Sequence, residues 1–139
     1  MPFLLDTVTL SELRKKSKSH PAVFAWQRQQ TGNAYISVIT MNEIRFGILS
    51  VEKKDPVFAK HLKIWYQEIL TASDFFTILP IQLLIAEKAA DLRYHLKISY
   101  NDALIAATAL CHKLKLATRN TSDFERTGLT LVNPWDHFR

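Results

Sequence analysis

Residues 3–7 read FLLDT, and the fold turns on how they are understood. Phe3, Leu4 and Leu5 make a short apolar run that stops at a polar cluster, the pattern of a buried strand. Asp6 closes that run. An acid directly after a buried strand is hard to dismiss as surface decoration.

The segments that follow alternate. TLSELRKK (9–16) places Leu10 and Leu13 three apart and suggests a short helix. HPAVFAWQRQQTG (20–32) reads as a helix that Gly32 ends. AYISVIT (34–40) is β-branched and apolar, so a strand is expected, and MNEIRFGILSVEKKD (41–55) as a helix capped by Asn42. Pro56 opens the next helix, with Leu62, Trp65 and Ile69 on one stripe and Ala59, Tyr66 and Leu70 beside it. FFTILP (75–80) is a third strand stopped by Pro80. IQLLIAEKAADLRYHLK (81–97) is helical, with Leu84, Ala86, Ala89, Ala90 and Leu92 on apolar faces. In SYNDALIAATALCHKLK (99–115), Ser99 stands three residues before Asp102, a serine-x-x-acid helix start ahead of an Ala-rich buried run. Strands four and five fall at residues 116–118 and within LTLVNPW, where Pro134 ends the last. Strands alternating with helices predict an α/β fold with a mainly parallel sheet. Without repeats or a linker, residues 1–139 read as one domain.

Composition sets the class. The chain is 47% hydrophobic, enough for a sizeable core, and carries a formal net charge of +5. That charge favours an anionic partner, although a solvated basic surface produces the same number. The single cysteine, Cys111, excludes an internal disulfide and reads as a small core residue. No signal-peptide pattern and no bilayer-length apolar run are seen, so a cytoplasmic protein without a membrane role is expected. Three glycines leave no phosphate loop or dinucleotide fingerprint, and the five histidines show no metal-binding spacing.

In an open parallel sheet, ligands bind beyond the carboxyl ends of the strands. Asp6 ends the first strand, Glu43 lies in the first turn after the second, Asp102 begins the helix leading to the fourth, and Asp123 follows the fourth. All four acids therefore belong to one edge. Taken singly, Glu43 and Asp102 are ordinary helix-start acids and Asp123 an ordinary turn residue. Taken together, they repel one another unless a hard divalent cation resolves the conflict. Mg²⁺ or Mn²⁺ at such a site would suit phosphodiester hydrolysis.

With those residues in hand, the sequence resembles the PIN-domain ribonucleases, and more narrowly the VapC and FitB toxins of type II toxin–antitoxin systems. FLLDT with SELRK, ISVITMNEIRFGI, NDALIAATAL and LATRNTSDFERTGLTLVNPW carry the resemblance over nearly the whole chain. It implies a three-layer α/β/α sandwich and a Mg²⁺ or Mn²⁺ site made by Asp6, Glu43, Asp102 and Asp123. It also implies RNA as substrate, inhibition by a VapB-like antitoxin, and a homodimer or larger toxin–antitoxin assembly. Operator DNA would be met only through the antitoxin. One position departs from the family: Val8 stands where the Asp-Thr-Asn or Asp-Ser-Asn motif has an amide, which can orient a neighbouring acid. Thr7, Thr118 and Asn120 are candidate supports for metal-bound water or phosphate; Asn101 is polar and near the site but has no assigned role.

For substrate binding, Arg14, Lys15, Lys16, Lys18 and Arg45 are the candidate cations, shared between RNA phosphates and a partner chain. Single-stranded RNA is favoured because its bases are accessible. Two rivals remain: a PIN-fold interaction module with weakened catalysis, which Val8 supports, and a DNA-acting nuclease. Apolar surface around Trp26, Phe46, Trp65 and Tyr66 is expected either to complete the core or to form an interface.

Overall fold

The structure, a computed structural model, describes residues 2–72 and 74–138. Five parallel strands form one sheet in the order β3-β2-β1-β4-β5. They are β1 (Phe3–Leu5), β2 (Ala34–Ser37), β3 (Phe76–Leu79), β4 (Lys115–Ala117) and β5 (Leu131–Val132). The helices are α1 (Thr7–Leu13), α2 (Pro21–Gln29), α3 (Val38–Val51), α4 (Pro56–Thr71), α5 (Leu83–Leu96), α6 (Tyr100–Cys111) and α7 (Thr121–Phe124).

The apolar run that opens the chain sits at the centre of the sheet because both its faces are covered. Leu4 pairs with Tyr35 and Leu116, and Leu5 with Ile36 and Ala117. Successive strand residues point to opposite faces. Leu4 and Leu116 accordingly pack with Ile85, Leu92 and the buried face of α6, while Leu5, Ile36 and Ala117 pack with Leu10, Trp26, Ile44 and Ile69. Helices cover each side of the sheet, which gives the expected three-layer α/β/α sandwich. A parallel sheet buried on both faces explains why β1 reads as a continuous apolar run instead of an alternating one. On α6, residues 103–109 are all buried, so this helix shows no polar stripe. Its small alanines let it lie close to the sheet, and the one buried hydroxyl, Thr108, donates to the Leu104 carbonyl at 2.7 Å.

Several local expectations shift. The strand expected over residues 34–40 stops at Ser37, whose side chain accepts the Ile39 N–H at 3.1 Å and caps α3. Asn42 is therefore not the cap but an exposed residue inside the helix. Helix α1 starts at Thr7, two residues before the expected point. Helix α2 ends at Gln29, and Gly32 instead supplies a turn with φ +84°. In α5 the core is met by Ile85, while Leu84 is 69% exposed. Trp26 is core, Trp65 and Tyr66 are half-buried, and Phe46 is 71% exposed. Cys111 is half-buried against the core, as expected of a small packing residue. Among the described residues, no helix is long and apolar enough to cross a membrane.

Candidate functional site

Strand order decides where a site can form. The chain steps from β1 outward to β2 and β3, then returns to the other side of β1 for β4 and β5. The reversal lies between β1 and β4, and the crevice beyond their carboxyl ends is the usual ligand position of such a sheet. Asp6 and Thr118 are the first residues past these two strands. The ladder runs on into them: the Asp6 N–H donates to the Ala117 carbonyl at 3.1 Å, and the Thr9 hydroxyl donates to the same carbonyl at 3.1 Å.

Asp6 has a local duty as well. It is the N-cap of α1, its Oδ1 accepting the Thr9 N–H at 2.9 Å. It is only 6% exposed. Burial pushes its carboxyl above the ordinary aspartate range, and repulsion from Glu43 adds to this; hydrogen bonds from the Thr118 hydroxyl and the Thr9 backbone oppose it. Asp102, in the first turn of α6, is likewise raised by burial. The Ser99 hydroxyl opposes the shift, while Asp123, Glu43 and Asp6 each add repulsion. Ser99 is the N-cap of α6 as the serine-x-x-acid pattern requires, yet its side chain bonds the Asp102 carboxylate and not a helix N–H.

Glu43 sits deeper in α3 than the sequence suggests, since that helix begins at Val38. Its carboxylate is held from both sides. The Thr7 hydroxyl donates to Oε1 at 2.5 Å, and Asn101 Nδ2 lies 3.4 Å from Oε2. Thr7 has one proton to give, so the Thr40 hydroxyl 3.1 Å away must be the donor between the two threonines. Asn101 thus supplies an amide to a site acid, while Val8 is 43% exposed and offers none. Asp123 is exposed on the short helix α7, where the sequence suggested only a turn. Asn120 takes part through its backbone, its N–H donating to the Thr118 hydroxyl oxygen at 3.1 Å.

The four acids thus share one edge: Asp102 feels the charges of Asp123, Glu43 and Asp6, and Asp6 feels that of Glu43. They do not form a closed cage: among the described residues, no three acid, histidine or cysteine side chains stand close enough to grip one ion together. Their donors are all oxygens, which suits Mg²⁺ or Mn²⁺, ions commonly held by one or two carboxylates with water completing the shell. The two raised carboxyls are the groups that a cation would relieve most.

Of the expected substrate cations, Arg14 and Lys15 have partners of their own. The Arg14 guanidinium stacks over Phe58 and Trp65, 5.6 and 6.0 Å from the ring centroids. Lys15 pairs with Glu12 at 3.1 Å. Arg45 is exposed on α3 and its charge acts on Glu52. Instead, a cleft of about 400 Å³ opens beside Asp102 and Asp123, with Lys97 and Arg126 in its walls. An apolar cavity of about 340 Å³ lies at the other end of the sheet, by Phe3, Trp26 and Ala34.

Comparison with known proteins identifies the fold. The family described as PIN domain matches residues 3–129. A curated relative, VapC ribonuclease Y4jK of Sinorhizobium fredii, is 38% identical, covering 96% of this chain and 97% of its own. Among solved structures, FitAcB from Neisseria gonorrhoeae superposes with a TM-score of 0.77 at 28% identity, covering 97% of this chain and 99% of that one. FitAB bound to an IR36 DNA fragment gives 0.76 at 32% identity, covering 97% and 96%.

Proposed function

The chain belongs to the PIN-domain family, and on that premise we propose that it is a Mg²⁺- or Mn²⁺-dependent endoribonuclease, the toxin of a type II toxin–antitoxin pair. The observation that carries this reading is the convergence of acids at the β1–β4 switch point, where Asp6 and Asp102 are both raised by burial and Asp102 is further repelled by Asp123, Glu43 and Asp6. A protein gains nothing in stability from such a cluster; it is the kind of arrangement found where chemistry is done.

The residues divide the work. Asp6 and Asp102 would hold the ion, with Glu43 and Asp123 completing the negative surround. Thr7 and Asn101 fix the Glu43 carboxylate. Thr118 orients Asp6. When bound, the ion would supply positive charge to the phosphoryl oxygens and acidify a water. A site carboxylate accepts the proton of the attacking water. The new oxygen–phosphorus bond forms as the bond to the 3′ oxygen breaks, and that oxygen takes a proton from solvent, leaving a 5′-phosphate and a 3′-hydroxyl.

The similarity to VapC and FitAB proteins supports a VapB-like antitoxin as inhibitor, with operator DNA reached through that partner. The exposed α3 residues Phe46 and Leu49 are the proposed homodimer interface. The rival, an interaction module without catalysis, draws on Val8 and on the open spacing of the acids. Cleavage of single-stranded RNA in added Mn²⁺ separates the two. The native chain should cut, and Asp6→Asn should not. Equal cleavage by both would mean a contaminant and would end the nuclease reading, and a matched DNA competitor tests the choice of RNA.

A further inference from the structure

A polyanion cannot approach four carboxylates without cations to receive it, and the bound ion alone covers one phosphate. We infer that the cleft walled by Lys97 and Arg126 is where a single-stranded RNA strand lays a neighbouring phosphate, next to the scissile one. This inference rests on the nuclease reading above and deepens it.

Three observations converge. The cleft, about 400 Å³, is continuous with the acidic edge, because Asp102 and Asp123 line it together with Ser99, Ser122, Lys97 and Arg126. Two cations and two hydroxyls thus face the space that the two acids open onto. The position is fixed: Arg126 donates from Nη2 to the Leu96 carbonyl at 2.8 Å, which pins the turn at Lys97, a residue in the left-handed region with φ +59°. That single bond leaves other guanidinium N–H groups of Arg126 for a phosphate. Finally, an exposed aromatic adjoins one of the cleft cations. Tyr94 is 74% exposed, with Lys97 Nζ 5.4 Å from its ring centroid. An exposed tyrosine beside a cation is the usual pairing of base stacking with backbone charge in single-strand binding.

The test measures binding of a short, mixed-sequence single-stranded RNA to Asp6→Asn protein in Mn²⁺ over a range of salt. Adding Lys97→Gln and Arg126→Gln should flatten the logarithmic salt slope by about 0.7, the contribution of the one phosphate that is no longer neutralised. Affinity should fall about tenfold or more, as expected when charged hydrogen bonds are removed. Lys97→Gln alone keeps the Arg126–Leu96 bond and should carry about half the change in slope. Lys53→Gln with Lys60→Gln removes the same charge from exposed positions on another part of the surface and should leave the slope unaltered. A slope no flatter for the cleft pair than for that control overturns the inference. So does loss of antitoxin binding with RNA binding intact, which would assign the cleft to a protein partner. If the native chain cuts RNA while the cleft pair is silent, only this inference fails. If neither cutting nor RNA binding is seen, the nuclease reading fails with it.

Discussion

Asp6 does two opposed things to stability, and substitution can separate them. It caps α1 through Thr9, which stabilises the fold, and it buries a charge beside Glu43, which does not. Asparagine keeps the capping oxygen and removes the charge, whereas alanine removes both. The cap and the unsatisfied Thr9 N–H together are worth about 1–2 kcal/mol. At about 2.1 cal/mol/K of unfolding entropy per residue, a chain of 139 residues shifts its Tm by about 3–4 °C per kcal/mol. Asp6→Asn should therefore melt about 3–7 °C above Asp6→Ala. Against the native protein the sign follows from linkage. The folded carboxyl is raised, so the folded state holds its proton more tightly than the unfolded chain does. This favours the fold at low pH, and the advantage is lost as pH climbs from the ordinary aspartate value, near about 4, through the folded value. In EDTA, native and Asp6→Asn proteins should melt together at low pH. As pH rises through that window, the variant should become the more stable, and the gap should then level off. Scanning calorimetry over pH checks this. A native protein that stays more stable than Asp6→Asn at neutral pH in EDTA would refute the reasoning, since burial and repulsion would then not be what Asp6 experiences.

Added Mn²⁺ should raise the Tm of the native chain and leave that of Asp6→Asn nearly unmoved, read in the same melts. Helix α6 ends in two bonds, Lys113 N–H to the Leu110 carbonyl and Leu114 N–H to the Ala109 carbonyl, with Lys113 at φ +56° where glycine is usual. Relief of about 1–2 kcal/mol of left-handed strain, less about 0.5–1 for glycine's entropy, predicts that Lys113→Gly raises the Tm by about 2–3 °C with RNA cleavage unchanged. Val8→Asn restores the family amide at an exposed position and should alter kcat by less than about threefold, whereas Asn101→Leu removes a hydrogen bond to Glu43 and should cost about three- to tenfold. Phe46→Glu should shift a dimer to monomer in sedimentation velocity, and the concentration dependence of the Tm should go with it.

What the sequence made legible divides along a physical line. Features set by period and by topology were readable. A continuous apolar run in β1 means a strand covered on both faces, and the alternation of elements means parallel strands joined by helices. Once that is granted, the edge on which Asp6, Glu43, Asp102 and Asp123 fall follows without any knowledge of how side chains pack. The element boundary at Ser37 was not readable, because Val38, Ile39 and Thr40 prolong the β-branched pattern and a short apolar run is compatible with either period. The capping hydroxyl of Ser37 ends the strand there, and it moved Glu43 from the first turn of α3 to the second.

Charged side chains were the least legible, for a different reason. Arg14 follows the first motif closely in sequence, yet its guanidinium stacks on Phe58 and Trp65 of α4, while Lys97 and Arg126 reach the acidic edge from the two segments that flank it. A long cation goes to whichever aromatic ring, carbonyl or carboxylate the tertiary fold offers, and nothing in its local spacing records that choice. Asn101 shows the same limit on a smaller scale. It precedes Asp102 in the chain but serves Glu43, on another helix, so its role exists only after α3 and α6 have been packed side by side. The acids could be placed early because their edge is fixed by backbone topology. The groups that hold and address them are fixed by packing, which only the folded chain reveals.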